Sequence, residues 1–186
     1  EEATYIGKGL ACDPAIVGTS GFIQMDIGGG SLELIRLQDH AISQAISLRL
    51  GAVRVSERFI ADQEAPISAH EETAISAFVT AELTQSGFSF LPEDLPLIAT
   101  GGAFVVSRAV LAAQAGKGID EFDPVLRQKD LAALKTQLCA LPLHERLSVP
   151  HLPGPRAHII PAAFITLLAL VAHAGRRDIP HSFFNL

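Results

Sequence analysis

"QMDIGGGSLELIRL", residues 24–37, sets three glycines between two carboxylates, with strand-like residues on both sides. Just before them, Ile23, Met25 and Ile27 alternate with Phe22, Gln24 and Asp26, which predicts a strand with two different faces. Consecutive glycines weaken such a structure, each losing about 1 kcal/mol of backbone entropy relative to alanine. Their presence implies that something approaches this backbone closely. Glycine opens the positive-φ region and exposes N–H groups that can form an anion-binding concavity. A phosphoryl oxygen can then reach the amides of Gly28, Gly29 and Gly30, with the Ser31 hydroxyl as a further donor. A plain hairpin loop that merely tolerates glycine suits the three residues equally well.

The flanking acids add weight to the ligand reading. If residues 28–30 form the turn, Asp26 and Glu33 oppose each other directly or diagonally, roughly 5 to 8 Å apart. Two like charges there destabilise a simple hairpin, and a bound cation such as Mg²⁺, or an ordered water, relieves the repulsion. Neither acid should touch a phosphate directly. Two like unit charges at about 4 Å repel by roughly 4 kcal/mol at an effective dielectric of 20. The glycines would hold the phosphate, and the carboxylates the metal or water.

Outward from this hairpin, "SLELIRL" predicts a second strand and "AISQAISLRL" (41–50) a third, a meander that begins a mixed sheet. Residues 3–11 suit a short helix. From residue 66 the period becomes helical: Ser68 and Glu71 make a capping box, followed by Ile75, Phe78, Val79 and Leu83, with an end near Gly87. "PLIAT" (96–100) predicts a buried strand, then Gly101 and Gly102 open the helix "AFVVSRAVLAAQ". A further amphipathic helix runs through Leu131, Leu134, Leu138 and Leu141. The apolar run 157–174, interrupted by His158, Pro161 and His173, is too short for a comfortable membrane span and predicts a buried helix. "DIPHSFFN" closes with a short extended segment. Strands first, then alternating helix and strand, give the class α/β.

Composition bounds the function. The 186 residues fit one domain or one lobe. Nearly half are hydrophobic and 18% charged, so a sizeable core can be buried. A net charge of −6 argues against a nucleic-acid surface driven by bulk charge, and leaves phosphate ligands to a local site. Cys12 and Cys139 form no CxxC, so reduced cytoplasmic thiols are expected. The histidines show no metal-ligand spacing. "EEATYIGKGL" carries no signal-peptide pattern and reads like a chain entered midway.

With these residues in view, "DIGGGSLEL" resembles the D-x-G-G-G-S-x-E segment of the exopolyphosphatase/guanosine pentaphosphate phosphohydrolase (Ppx/GppA) family. "EEATYIGKG" resembles its E-E-A segment, and "SLRLGAVRVSERF" its S-x-x-x-G-x-x-R stretch. "LIATGGAFVVSRAV" is similar to its second glycine turn, and "RAHIIPAAFITLLAL" to its R-A-x-x-I-x-x-G helix. The resemblance spans residues 1 to about 175, in the family's order. It departs at Leu32, where the family usually has Thr, at His158, which replaces a common acid, and at Ala163, where Gly is usual.

The resemblance implies an actin-like ATPase (ribonuclease H-like) lobe, with residues 1–186 matching the second domain of a two-domain phosphatase whose first domain is absent from this chain. It implies a Mg²⁺-dependent exopolyphosphatase releasing terminal phosphate from inorganic polyphosphate, or a phosphohydrolase acting on guanosine pentaphosphate. In it Glu2 aligns with the carboxylate that activates the attacking water. Asp26 and Glu33 align with acids that position metal and water, and Gly28 with the glycine that phosphate approaches. An adjacent pair such as Glu1 and Glu2 is otherwise ordinarily solvated. Gly101 and Gly102 open a helix whose amides and dipole favour an anion, or a helix with no ligand at all. Arg49, Arg54 and Arg156 can reach a phosphate or serve as surface ion pairs. A competing reading is a binding or assembly lobe without turnover, which pairs with the first lobe or, through apolar surface that lobe would cover, forms a homodimer. No membrane and no nucleic-acid partner is expected.

Overall fold

The computed structural model describes residues 19, 21–39 and 41–183. The expected helix at 3–11, Glu1, Glu2 and Cys12 lie outside them.

The glycine-centred stretch folds as the hairpin its pattern predicts. Strand β1 (Gly21–Ile27) runs antiparallel to β2 (Leu32–Gln38), which runs antiparallel to β3 (Ala41–Leu48) with a register shift at Arg36/Leu37. β4 (Leu97–Thr100) then adds parallel to β1, giving the mixed order β3-β2-β1-β4. Period-two alternation sends Ile23, Met25, Ile27, Leu32, Leu34, Leu97 and Ala99 into the main core. On the other face, Phe22, Ile35, Leu37 and Ile98 make a smaller apolar cluster, with Gln24 buried in the same row. The two central strands are therefore covered on both sides.

The third strand stops at Leu48, two residues short of expectation, because the next turn is fixed by packing rather than pairing. Leu50 is fully buried, and a Cβ on Gly51 would overlap Ser31 N and Gly29 O. There the chain enters helix α1 (Ala52–Phe59), which the sequence pattern did not declare. Its first amides dock on the glycine loop: Ala52 N and Val53 N donate to Gly28 O and Gly29 O, both at 2.9 Å.

Helix α2 (Ala69–Ser86) carries the predicted capping box: Ser68 Oγ accepts from Glu71 N while Glu71 Oε2 accepts from Ser68 N at 2.9 Å, and Gly87 closes the helix in the left-handed region. Helix α3 (Gly102–Gln114) follows β4 directly. A short hairpin-like sheet pairs β5 (Val125–Arg127) with β6 (Asp178–Pro180), and α4 (Gln128–Ala140) and α5 (Leu143–Arg146) lie between them in sequence. A 3-10 turn (Gly154–Arg156) precedes the apolar run, which becomes α6 (Ile160–His173), buried along most of its length. Helices α1, α2, α3 and α4 all pack on α6. Among the described residues no helix is long and apolar enough to cross a membrane.

Candidate active site

The end of β1, the glycine loop, the β4–α3 junction and residues 156–163 converge on a cleft of ≈ 390 Å³. Its chemistry-bearing lining is Asp26, the backbone of Gly28 and Gly29, the backbone of Gly101 and Gly102, and Arg156.

Sheet register builds the polar side of this cleft. Asp26 is paired with Glu33 on β2 and with Thr100 on β4, and Glu33 is paired with Ser47 on β3. Paired residues share a face, so Ser47, Glu33, Asp26 and Thr100 form one row across four strands. Each carboxylate is steered by a hydroxyl at the end of the row. Ser47 Oγ donates to Glu33 Oε1 at 2.9 Å, and Thr100 Oγ1 donates to Asp26 Oδ2 at 3.2 Å. Thr100 in turn accepts from the buried Gln24 Nε2 at 3.1 Å, which leaves its proton for an acceptor such as Asp26. Burial pushes the Asp26 carboxyl above its usual range; the Thr100 hydrogen bond opposes this and the charge of Glu33 adds to it.

The opposite wall is a helix entrance. Gly101 caps α3 with φ 90 and ψ 174, and no side chain caps the helix. The first amides of a helix lack intrahelical acceptors and carry the positive end of its dipole. A Cβ on Gly101 would overlap Asp26 Oδ1, and one on Gly102 would overlap Arg156 Nη1. The two glycines thus let an acid and a guanidinium close on the same turn of backbone. The start of α6, also without a side-chain cap, contributes Ile159, Ile160 and Ala163 to the lining.

One expectation about the glycine loop is corrected. None of Gly28, Gly29 and Gly30 adopts positive φ; Gly101 does. The loop reverses over four residues, 28–31, closed by Gly28 N donating to Ser31 O at 2.9 Å, while its carbonyls are held by α1. No left-handed residue is needed for that turn.

Of the residues singled out from the sequence, Asp26, Gly28, Gly29, Gly101 and Gly102 line the cleft together. Glu33 stands directly across from Asp26 but is not part of the lining, and neither are Gly30 and Ser31. Glu2 lies outside the described residues. Among those residues no group of three or more His, Cys, Asp or Glu side chains is placed to hold a metal, so Asp26 and Glu33 stand as a pair. Sequence reasoning passed over Thr100 and Ser47, which only strand register brings to the carboxylates, and left Arg156 open between a phosphate ligand and a surface ion pair. Its position before an uncapped apolar helix was the available signal.

The sequence profile of the Ppx/GppA phosphatase family matches residues 1–181. A guanosine-5'-triphosphate,3'-diphosphate pyrophosphatase of Vibrio parahaemolyticus is 28% identical over 170 residues, which cover 91% of this chain and 32% of that protein. Among solved structures, the fold matches an exopolyphosphatase from Cytophaga hutchinsonii with a TM-score of 0.83 at 22% identity, covering 100% of this chain and 60% of that one. It also matches the type II crystal structure of the Aquifex aeolicus Ppx/GppA phosphatase, with a TM-score of 0.81 at 19% identity, over 100% of this chain and 59% of that one. The mixed sheet with its flanking helices is thus an actin-like ATPase fold. The chain spans about a third of the curated relative and under two thirds of each of these solved structures.

Proposed function

Because this chain belongs to the Ppx/GppA phosphatase family, whose members hydrolyse phosphoanhydride bonds, we propose that its cleft seats the terminal phosphoryl group of inorganic polyphosphate. In a protein that also carries the family's first lobe, water would attack that group in line.

The glycine loop carries this reading. Positive φ does not require glycine at 28 and 29, and the fold scarcely does: the nearest atoms to a Cβ built on Gly28 and Gly29 lie 3.5 and 3.3 Å away. Side chains could be housed within the protein, so their omission keeps the backbone open to a ligand. A phosphate resting there would meet the amides at the start of α3 and the Arg156 guanidinium, two donors suited to its oxygens.

Asp26 and Glu33 fit Mg²⁺. Mg²⁺ needs only one or two protein carboxylates when phosphate oxygens and waters complete its shell; burial, and after it the charge of Glu33, raise the Asp26 pKa, and a dication would offset the second of these. When bound, the cation would neutralise charge on the phosphoryl oxygens. Thr100 and Ser47 each hold one carboxylate oxygen, fixing the rotamers and leaving Asp26 Oδ1 and Glu33 Oε2 for the cation or water. Glu2 would supply the general base by its place in the E-E-A segment, and positioning with charge neutralisation would do most of the remaining work.

Guanosine pentaphosphate is the second reading, favoured by the name of the Vibrio protein and its match over 91% of this chain. Among the described residues, however, no aromatic ring lines the cleft to stack on a guanine. The isolated lobe should hydrolyse little of either substrate, because half of an interlobe cleft would be missing.

The test is phosphate release by the full-length protein from polyphosphate and from guanosine pentaphosphate, with and without Mg²⁺. Asp26→Asn and Glu33→Gln should each lower turnover by about 100-fold or more while inorganic phosphate still binds. Undiminished turnover in both variants would overturn the assignment.

A further inference from the structure

A second hollow, of ≈ 340 Å³, lies along α1 and is lined by Arg49, Arg54, Val55, Glu57, Arg58 and Phe78. It brings three guanidinium groups together on a chain whose formal charge is −6. Among the described residues, none of the three makes an ion pair, and Glu57 is the one carboxylate on the rim. A surface cluster of like charges is ordinarily dispersed or matched with acids, because like charges at short range repel.

Two features make this more than a charged face. Arg58 is held in place, its guanidinium stacked 4.1 Å from the ring centre of Phe78 and 5.2 Å from that of Phe59. Stacking leaves the edge N–H groups outward and reduces the freedom a bound anion would have to quench. Arg54, in turn, leans over the glycine loop. Its backbone N–H reaches Gly29 O at 3.4 Å, and its Nε lies 3.9 Å from where a Cβ on Gly30 would stand. Gly28 and Gly29 wall the cleft, and Gly30 lies beside Arg54, so the loop leads from the cleft to an arginine of the hollow.

The geometry points to a second anionic subsite, in which Arg49, Arg54 and Arg58 take inner phosphate groups of a linear oligophosphate whose end sits in the cleft. This deepens the polyphosphate reading, on which it rests. A compact anion filling the cleft alone would not touch the hollow, whereas a chain crossing the glycine loop would. The hollow therefore selects for chain length. It gives a reason for the glycine at position 30, which the cleft does not use.

Calorimetric titration of the full-length protein tests this with inorganic phosphate, tripolyphosphate and long-chain polyphosphate. Arg49→Gln and Arg54→Gln replace exposed side chains and should leave thermal stability unchanged. Each should weaken long-chain binding by about fivefold, the double variant by more, with inorganic phosphate unaffected. The salt dependence of long-chain binding should become shallower in step with the lost contacts. Long-chain affinity equal to wild type in the double variant, or in the charge-reversed Arg54→Glu, would overturn the subsite. So would a loss shared equally by inorganic phosphate, since the arginines would then act through the cleft. Arg156→Gln separates the two claims. It should weaken all three ligands; unchanged inorganic phosphate binding there would count against the cleft reading, whatever the hollow shows.

Discussion

Arg156 reaches the cleft through the space that a side chain at residue 102 would fill, since a Cβ on Gly102 would overlap its Nη1. Gly102 does not adopt positive φ, and it begins a helix, so alanine suits its backbone. The atom it would displace is the end of a flexible, exposed side chain. Gly102→Ala should therefore leave stability unchanged or raise it by less than about 1 kcal/mol. It should nevertheless lower inorganic phosphate affinity about tenfold, the worth of a lost charge-assisted contact. A denaturant melt and a phosphate titration on the same sample check this pair of outcomes; an unaltered affinity would show that Arg156 is no ligand.

The neighbouring glycine behaves in the opposite way. Gly101 sits at φ 90, where a side chain is strained, and its missing Cβ makes room for Asp26 Oδ1. Gly101→Ala should lower stability by about 1–3 kcal/mol through backbone strain. It should also push Asp26 off its Thr100 hydrogen bond, weakening Mg²⁺ binding. Urea denaturation with and without Mg²⁺ measures both effects, and a variant as stable as wild type would refute the strain assigned here.

How much of this was legible in the sequence depends on the range of the interaction. The hairpin, the capping box at Ser68 and Glu71, the strand before Gly101 and the buried helix within the apolar run 157–174 all follow from local pattern, and each was expected, though the helix starts only at Ile160. The α1 helix was not, because its start is fixed by docking onto the carbonyls of Gly28 and Gly29, a contact no periodicity encodes. Hairpin geometry also placed Asp26 opposite Glu33 in advance. Thr100 and Ser47 could not be placed, since they depend on the register of β4 and β3. The glycines at 28–30 were noticed partly for positive φ, which none of them adopts.

Acidity should report on the carboxylate row. Burial first, and then the charge of Glu33, raise the Asp26 pKa from 3.8, with the Thr100 hydrogen bond opposing. The folded state thus holds this proton more tightly than the unfolded chain does. As pH rises from the unfolded carboxylate range through the folded pKa, ionisation of Asp26 removes stability. Asp26→Asn should be more stable than wild type at neutral pH, and the difference should shrink as pH falls below that range. Glu33→Gln should move the Asp26 titration downward, and Thr100→Val should move it upward. Carboxyl-carbon NMR titration follows the shifts directly; an Asp26 pKa insensitive to Glu33→Gln would break the like-charge pair on which the Mg²⁺ assignment leans.

Arg146 supplies the mechanical link between the core and the cleft. It is fully buried, and its guanidinium donates to Ala157 O at 3.1 Å, Gln63 O at 2.9 Å and Ala65 O at 3.0 Å. The first of these carbonyls follows Arg156 immediately; the other two belong to the segment that leads into α2. Burial lowers the Arg146 pKa, yet the group stays charged at neutral pH, so the three carbonyls are what stabilise it. Arg146→Met fills much of the same volume but leaves those carbonyls unpaired, and should lower stability by about 1–3 kcal/mol for each acceptor left buried. Arg146→Lys, which keeps the charge but cannot span three acceptors, should recover part of that loss. Because the turn carrying Arg156 is anchored here, the folded Met variant should also bind inorganic phosphate more weakly than wild type at a temperature well below its melt. Stability within about 1 kcal/mol of wild type would mean that the carbonyls find other donors and that Arg146 does not brace the cleft.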